Sequence, residues 1–317
     1  MKRTSGVLMH VSSLFGDHSE GAFGAEAFAW IDFLADCGFG LWQVLPFCLP
    51  DDCHSPYKSF SAFSGNPNFI DLPALYREGL ITAEELASAK QVTPYSCEFE
   101  RLEKERMPLL ARAARRFPDA EAIDAFMVTH PQVEKFCEFM ALRKANGNTP
   151  WNEWTQDTPD ADALLTWRFT QYTFDRQWRA VKEYANRRGI RIIGDMPIYV
   201  AYDSADVWAN PSEFLLDKEN KPTCVAGVPP DYFCPDGQLW GNPLYDWKAM
   251  KKNGYAWWCA RMRAACDWFD GVRIDHFRGI ESYYTVDATA KNARNGVWKK
   301  GPGMHFVRAM QEEHVQL

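Results

Sequence analysis

Arg273, Asp275 and His276 are the residues whose types and spacing first indicate chemistry. Arg273 lies within the short segment 272–274, and Asp275 and His276 follow it directly. The alternation of apolar and polar residues in this segment is typical of a buried strand. Residues two apart on a strand share a face, so Arg273 can lie against Asp275 and keep its carboxylate ionised and fixed in position. In α/β barrels such strand ends build the active site. From this stretch alone, a structural ion pair beside a core histidine remains the alternative.

Units of a helix followed by a strand must position Arg273, Asp275 and His276. Helical patterns begin near residues 25, 163 and 255, and each leads into an apolar strand. The strands are expected at 41–46, 190–200 and 272–274, and an earlier apolar segment begins at Gly6. Asp195 also falls at the end of its strand. This alternation predicts a parallel α/β architecture, and we prefer a barrel to a doubly wound sheet. No GxGxxG or Walker-type loop follows a strand, so a nucleotide fold is not indicated.

A region without evident strands separates the first two of these units. Thr82 and Glu85 have the spacing of a capping box, and residues 98–117 and 131–145 read as helices. We therefore expect two parts: residues 1–75 and 151–317 form the barrel portion, and residues 76–150 form a helical insertion subdomain.

Two long connections combine aromatic rings with amides and carboxylates. The first spans residues 47–67, and the second, expected to be irregular, spans residues 203–247. Sugar rings stack on Trp and Tyr while their hydroxyls bond Asn, Gln and Asp, so this mixture suits carbohydrate binding. For residues 203–247 the alternative is a well-packed long loop with buried indoles.

Composition excludes several other classes of function. The net charge is −7 with no basic run, which argues against nucleic acid or an anionic membrane as partner. No apolar stretch is long enough for a membrane helix. The nine cysteines are scattered and show no metal-ligand spacing, so we expect reduced thiols, a cytoplasmic protein and no cofactor.

Several stretches, in one order along the chain, resemble a known family. They are residues 5–8, 41–46, 55–67, 193–200, 203–208, 226–233, 237–243 and 272–279. They are similar to motifs of the 4-α-glucanotransferases called amylomaltases or disproportionating enzymes, glycoside hydrolase family 77. The resemblance implies an α/β fold of the (β/α)₈ TIM-barrel type. It also implies transfer of α-1,4-glucan segments between maltooligosaccharides by a retaining, two-step mechanism.

The resemblance further implies roles for single residues. Asp275 matches the nucleophile, which would form a β-glucosyl-enzyme intermediate, and Arg273 matches the residue that orients it. Residues expected to bind substrate are Ser55, Tyr57, Asp195, Gln238, Trp240, Asn242 and His276. Among them, Tyr57 would stack on the sugar that Asp195 contacts, and Trp240 would help to close the acceptor side.

The chain also departs from the family pattern. The glutamate that serves as general acid/base lies on a later strand, and its motif is absent from residues 1–317. We therefore expect only the N-terminal part of the barrel, with an unpaired edge at Val272 that favours dimerisation, aggregation or a partner. Glu281, interpreted as an ordinary helix-start acid, and Asp231 are weak substitutes. The alternatives to a transferase are a non-catalytic α-glucan-binding fragment and an α-glucan hydrolase.

Overall fold

The computed structural model describes residues 3–50 and 55–312. Its strands are β1 (Gly6–Leu8), β2 (Leu41–Gln43), β3 (Arg191–Pro197), β4 (Cys224–Val228), β5 (Gln238–Pro243), β6 (Gly271–Asp275), β7 (Ser282–Asp287) and β8 (Val297–Lys300). Its α-helices are α1 (Ala25–Asp36), α2 (Leu72–Arg77), α3 (Ala83–Ser88), α4 (Phe99–Arg116), α5 (Ala120–Thr129), α6 (Pro131–Ala145), α7 (Ala161–Arg187), α8 (Ala205–Ala209), α9 (Trp247–Lys252), α10 (Ala256–Trp268) and α11 (Met304–Glu312). Short 3₁₀ turns lie at Val11–Ser13, Pro67–Phe69, Trp151–Glu153, Pro211–Glu213 and Phe277–Ile280.

A parallel four-stranded sheet in the order β1-β2-β3-β6 forms the centre of the chain. The predicted helix-then-strand units are confirmed: α1 leads to β2, α7 to β3 and α10 to β6. The register of β3 and β6 sets Asp195 opposite Arg273 and Pro197 opposite Asp275. Because the strands are parallel, their polar C-terminal residues therefore meet at one edge of the sheet.

Aromatic packing fixes the distance between this sheet and its helices. The rings of Phe47 and Trp178 meet edge to face with centroids 4.6 Å apart, and Phe269 lies 5.1 Å from Phe47. A Cβ on Gly194 would overlap the Phe269 ring, so only glycine fits at that point of β3. This contact holds the end of α10, and with it the start of β6, against the strand that carries Asp195.

The parallel sheet is open within the described residues. Its edge strands are β1 and β6, and each pairs with a strand on one side only. Leu8 on β1 is 58% exposed, and the residues of β6 are partly exposed on both faces. The predicted unpaired edge at Val272 is confirmed for this part of the chain.

A second sheet is antiparallel, in the order β5-β4-β7-β8. It corrects the expectation that residues 203–247 form one irregular connection, since they contain α8, β4 and β5. The pairing of β4 with β5 is irregular between Val225 and Gly227, and the other partner of β4, strand β7, lies far along the chain. Glu281 is also reassigned: it ends the Phe277–Ile280 turn and precedes β7, so it does not start a helix.

The region 76–150 is helical, as predicted, and no strand lies in it. The capping box is confirmed, because Glu85 N donates to the Thr82 hydroxyl and Thr82 N donates to the Glu85 carboxylate. Helices α4 and α6 pack on α7 within the same hydrophobic core as the parallel sheet. The division of the chain at residues 75 and 150 stays a prediction.

Candidate active site

Arg273 joins two carboxylates at the C-terminal edge of the parallel sheet. Its Nη1 donates to both Asp195 oxygens, at 2.8 and 2.7 Å, and its Nη2 donates to Asp275 Oδ1. The Asp195 side chain is fully buried, whereas that of Asp275 is 38% exposed. The cross-strand register and the two-residue spacing on β6 make this fork possible. Arg273 thus fixes Asp275 in place while leaving part of its carboxylate accessible.

Tyr57 completes the hydrogen bonding of Asp195. Its hydroxyl donates to Asp195 Oδ2 at 2.8 Å from the loop that follows β2. Burial, the hydrogen bond to Asp195 and the surrounding carboxylates raise the pKa of Tyr57 to about 12. The phenol therefore keeps its proton at neutral pH and remains a donor, which holds the ring beside the two carboxylates.

His276 follows the end of β6 in a left-handed backbone conformation, with φ of +55°. Such a conformation is uncommon for a residue other than glycine, and strain of this kind concentrates at functional sites. The imidazole meets the Trp240 ring edge to face, with centroids 4.9 Å apart. Burial lowers the pKa of His276 against the opposing charge of Asp275, so the ring is neutral at pH 7.

Strand β5 supplies the opposite side of the site. Trp240 and Asn242 line the cleft, and Gln238 lies beside Trp240. Gly241, between Trp240 and Asn242, has a φ of +75° where the pairing with β4 is irregular. Trp240 Nε1 donates to Gln238 Oε1 at 3.1 Å, and Asn242 Nδ2 donates to the Val200 carbonyl at 2.9 Å. Gln238 therefore orients the indole, and Asn242 ties β5 to the segment that follows β3.

These groups surround a cleft of about 350 Å³. It is lined by Ser55, Tyr57, Lys58, Pro197, Ile198, Tyr199, Trp240, Asn242, Asp275 and His276. Six of the nine predicted site residues line it, while Arg273 and Asp195 lie directly behind Asp275 and Tyr57, and Gln238 supports Trp240. Aromatic faces beside amide, hydroxyl and carboxylate groups suit a polyhydroxylated ligand.

Sequence reasoning did not assign a role to Pro197, Ile198 or Tyr199, which form one wall of this cleft. They continue directly from the strand that carries Asp195, so the position of that strand end was the available signal. Their contribution is a surface of backbone and apolar atoms, which carries no motif of reactive side chains.

Comparison with known proteins identifies the family. The family model described as 4-alpha-glucanotransferase, glycoside hydrolase family 77, matches residues 9–317. The chain is 44% identical over 339 residues to a 4-alpha-glucanotransferase of Streptococcus pneumoniae, covering 100% of the chain and 66% of that relative. The Thermus thermophilus 4-alpha-glucanotransferase is 41% identical over 332 residues, with 98% of the chain and 66% of the relative covered.

The chain belongs to the 4-alpha-glucanotransferase family. The resemblance drawn from the motifs is thereby confirmed. A solved structure of amylomaltase from Streptococcus agalactiae in complex with acarbose matches with a TM-score of 0.93 and 38% identity, covering 100% of the chain and 68% of that structure. The predicted α/β fold, the N-terminal part of a TIM-type barrel, is confirmed by this likeness. The chain spans 66% of the length of the curated relatives from Streptococcus pneumoniae and Thermus thermophilus.

The two carboxylates considered as substitutes for a 4-alpha-glucanotransferase acid/base lie outside the cleft. Asp231 is exposed and its Oδ1 accepts hydrogen bonds from Phe233 N and Cys234 N within a turn. Glu281 is exposed at the start of β7 and does not line the cleft. Within residues 3–50 and 55–312, the carboxylates of this site are therefore Asp275 and the buried Asp195.

No group of His, Cys, Asp and Glu side chains in the described part of the chain is arranged to hold a metal ion. None of the helices described combines the length and the apolar character that crossing a bilayer requires.

Proposed function

We propose that this chain builds the glycosyl-enzyme half of a 4-α-glucanotransferase site. It transfers α-1,4-glucan segments between maltooligosaccharides by a retaining double displacement, with Asp275 as nucleophile. The observation that carries the proposal is the Arg273 fork, which leaves one face of the Asp275 carboxylate open to the cleft while anchoring the other to Asp195. A carboxylate fixed at the base of a sugar-sized cleft is what covalent glycosyl transfer requires.

The other residues support binding and positioning. A sugar seated over Asp275 would contact the Tyr57 ring on one side, and Trp240 would offer an aromatic face on the other. His276, Asn242 and Ser55 present polar atoms to the same space. Closing the cleft with the Trp240 face would exclude water and favour a sugar as acceptor, which is the difference between transfer and hydrolysis.

One observation favours a second candidate, a chain that binds α-glucan without turning it over. A retaining mechanism needs a second carboxyl about 5–5.5 Å from the nucleophile to act as acid and then as base. Asp195 is fully buried and bonded to both Arg273 and Tyr57, so it is not free to protonate a leaving group. Among the described residues no other carboxyl lines the cleft.

The first experiment is incubation of this chain with maltotriose, with products resolved by length. Glucose plus a series of longer maltodextrins would support transferase activity. Glucose and maltose without longer products would instead indicate an α-glucan hydrolase. If a folded chain gives no products, two interpretations remain: a chain that only binds α-glucan, and a reactive site that lacks only the general acid.

An α-maltotriosyl fluoride separates those last two outcomes. Fluoride leaves with the C1–F electron pair without being protonated, so forming the bond between an Asp275 oxygen and C1 requires no acid. We expect fluoride release and a glycosyl adduct on the peptide that contains Asp275, detected by mass spectrometry. Binding of maltotriose without any fluoride release would contradict the nucleophile assignment and favour the binding candidate.

The cellular setting proposed is the cytoplasm, with soluble maltooligosaccharides, starch or glycogen fragments as partners. Seven cysteines in the described ranges carry free thiols, which fits a reducing compartment: Cys37, Cys48, Cys97, Cys137, Cys224, Cys234 and Cys266. Fractionation of cells followed by immunoblotting tests this; recovery from an oxidising compartment would contradict it.

A further inference from the structure

The cleft wall that follows β3 is held by side chains that approach it from behind. Arg261 donates to the Pro197 carbonyl at 2.6 Å and to the Ile198 carbonyl at 3.3 Å. The Tyr245 hydroxyl also donates to the Ile198 carbonyl, at 2.7 Å. Because Pro197 and Ile198 line the cleft, the position of its wall depends on these buried donors.

Arg261 is an unusual group to find at this place. It lies on α10, is 3% exposed, and its guanidinium packs against the rings of Trp257 and Trp258 at 5.3 and 5.0 Å from their centroids. A buried guanidinium is costly unless hydrogen bonds, aromatic faces or an opposite charge compensate it. The two carbonyls and the two indoles supply part of that compensation.

Asp206 is a second buried charged residue, and it holds the other wall. It is 3% exposed on α8, and its Oδ2 accepts a hydrogen bond from Ala62 N at 2.8 Å. The neighbouring Ala205 N donates to the Phe60 carbonyl at 2.8 Å. Burial raises the pKa of Asp206 to about 6, against the lowering effect of the Arg261 charge. The loop anchored in this way is the one that carries Ser55 and Tyr57.

We propose that Arg261 and Asp206 are positioning residues that fix the two walls of the cleft relative to each other. Arg261 sets the Pro197–Ile198 wall and Asp206 sets the loop that carries Tyr57. The two meet at Trp257, whose ring the Arg261 guanidinium contacts and which lines one cavity together with Asp206. Neither residue lines the cleft, so each acts through groups that do. The inference rests on the proposed function, because it assumes that the cleft binds an α-glucan.

The test measures maltotetraose binding by calorimetry and fluoride release from α-maltotriosyl fluoride, after folding of each variant is checked by circular dichroism. Arg261→Met should weaken binding at least about tenfold, because displacement of the wall by an ångström is enough to disturb a bound ligand. Arg261→Lys keeps a charge and one donor and should recover part of that loss. Arg187→Met, on the exposed side of α7, is the matched control and should bind as the wild type does.

A double-mutant cycle separates a linked pair from two independent structural residues. Asp206→Asn keeps an oxygen for Ala62 N but removes the charge, so it should weaken binding by itself. In the Arg261→Met/Asp206→Asn variant the fold-loss of maltotetraose affinity should be smaller than the product of the two single-variant fold-losses. The reason is that each single substitution leaves the other residue's buried charge uncompensated. If Arg261→Met does not fold, maltotetraose binding by the Arg261→Lys and Asp206→Asn variants decides whether the two residues have the positioning role.

Two outcomes distinguish the possible failures. Wild-type chain that binds no maltotetraose contradicts the proposed function. Wild-type chain that binds, with folded Arg261→Lys and Asp206→Asn variants that bind equally well, overturns the positioning role and leaves the proposed function intact. A double variant whose loss equals the product of the single losses also overturns the link between the two walls.

Discussion

The two sides of the cleft are built on different principles. On the parallel sheet, Asp195, Arg273 and Asp275 form a closed set of charged hydrogen bonds, and one carboxylate is fully buried. On β5, Trp240 and Asn242 are partly exposed, and each is held by a single neutral hydrogen bond. The first side is rigid and suited to making a bond at one atom, whereas the second presents ring faces and amides to which different sugars can adapt.

This difference leads to a general expectation. Substitutions on the parallel side should reduce reaction rate or folding stability, and substitutions on β5 should reduce affinity. Each prediction below tests that separation. The rate constant written kcat is that of the first fluoride release by the chain at saturating α-maltotriosyl fluoride, the step that requires no acid.

The largest effect is expected from Asp275→Asn. The amide is close in shape but is not a nucleophile, so kcat should fall by roughly 10³-fold or more. Maltotetraose binding should change by less than about threefold, since the hydrogen-bonding outline of the side chain is preserved. The time course of the first fluoride release at saturating donor measures the rate constant, and calorimetry measures the binding.

Asp267→Asn serves as the matched control, because Asp267 is an exposed residue of α10 outside the cleft. It should leave both quantities at the wild-type level. Undiminished fluoride release by Asp275→Asn would remove the nucleophile from the parallel sheet and undo the comparison.

Arg273→Lys should have the next largest effect. A lysine ammonium cannot reproduce the fork that reaches Asp195 and Asp275 together, so one of the carboxylates loses its partner. We expect kcat to fall about 10- to 100-fold and the free energy of unfolding to fall by about 2 kcal/mol, the size of one or two charged hydrogen bonds. Urea denaturation gives the second value. A variant with normal kcat but weaker binding would assign Arg273 to recognition.

Lowering the pH should reduce the folding stability of the parallel-sheet side through the protonation of His10. Burial lowers the pKa of His10 to about 4 from its usual value of 6.5, and its Nδ1 accepts a hydrogen bond from Leu45 N at 3.2 Å. Because the folded pKa lies below the unfolded one, this contribution to stability is complete above pH 6.5 and is lost as the pH falls towards 4. The loss amounts to about 3 kcal/mol at most, from the conversion of 1.36 kcal/mol per pKa unit.

The measurement is urea unfolding of the wild type and His10→Asn at pH 7.5, 5.5 and 4.5. The difference between the two should shrink as the pH falls, because the variant lacks the titrating ring. Asp206 acts in the opposite direction, since its raised pKa favours the folded state at low pH, and it is common to both chains. A difference that stays constant over this range would contradict the assignment to His10.

The two sides also differ in how far the sequence predicts them. Asp275, Arg273 and Asp195 follow from helix–strand alternation, because in a parallel sheet every strand end points to one edge and residues two apart share a face. Trp240 and Asn242 of β5 line the cleft, but the sequence at this strand is interpreted as a loop. Its partner β4 has an irregular register and pairs with a distant segment, so no local pattern marks either strand.

The smallest effect is expected on β5 itself, from Trp240. Trp240→Ala removes a ring face worth about 1.4 kcal/mol to a stacked sugar, so maltotetraose binding should weaken about tenfold. Trp240→Phe keeps an aromatic face and loses only the donor to Gln238, so it should weaken binding by less than about threefold. In both variants kcat at saturating donor and the free energy of unfolding should match the wild type, because the charged set across the cleft is untouched. A fall in kcat at saturation with unchanged affinity would place Trp240 among the groups that act on the reacting atom, and the two sides of the cleft would then share one task.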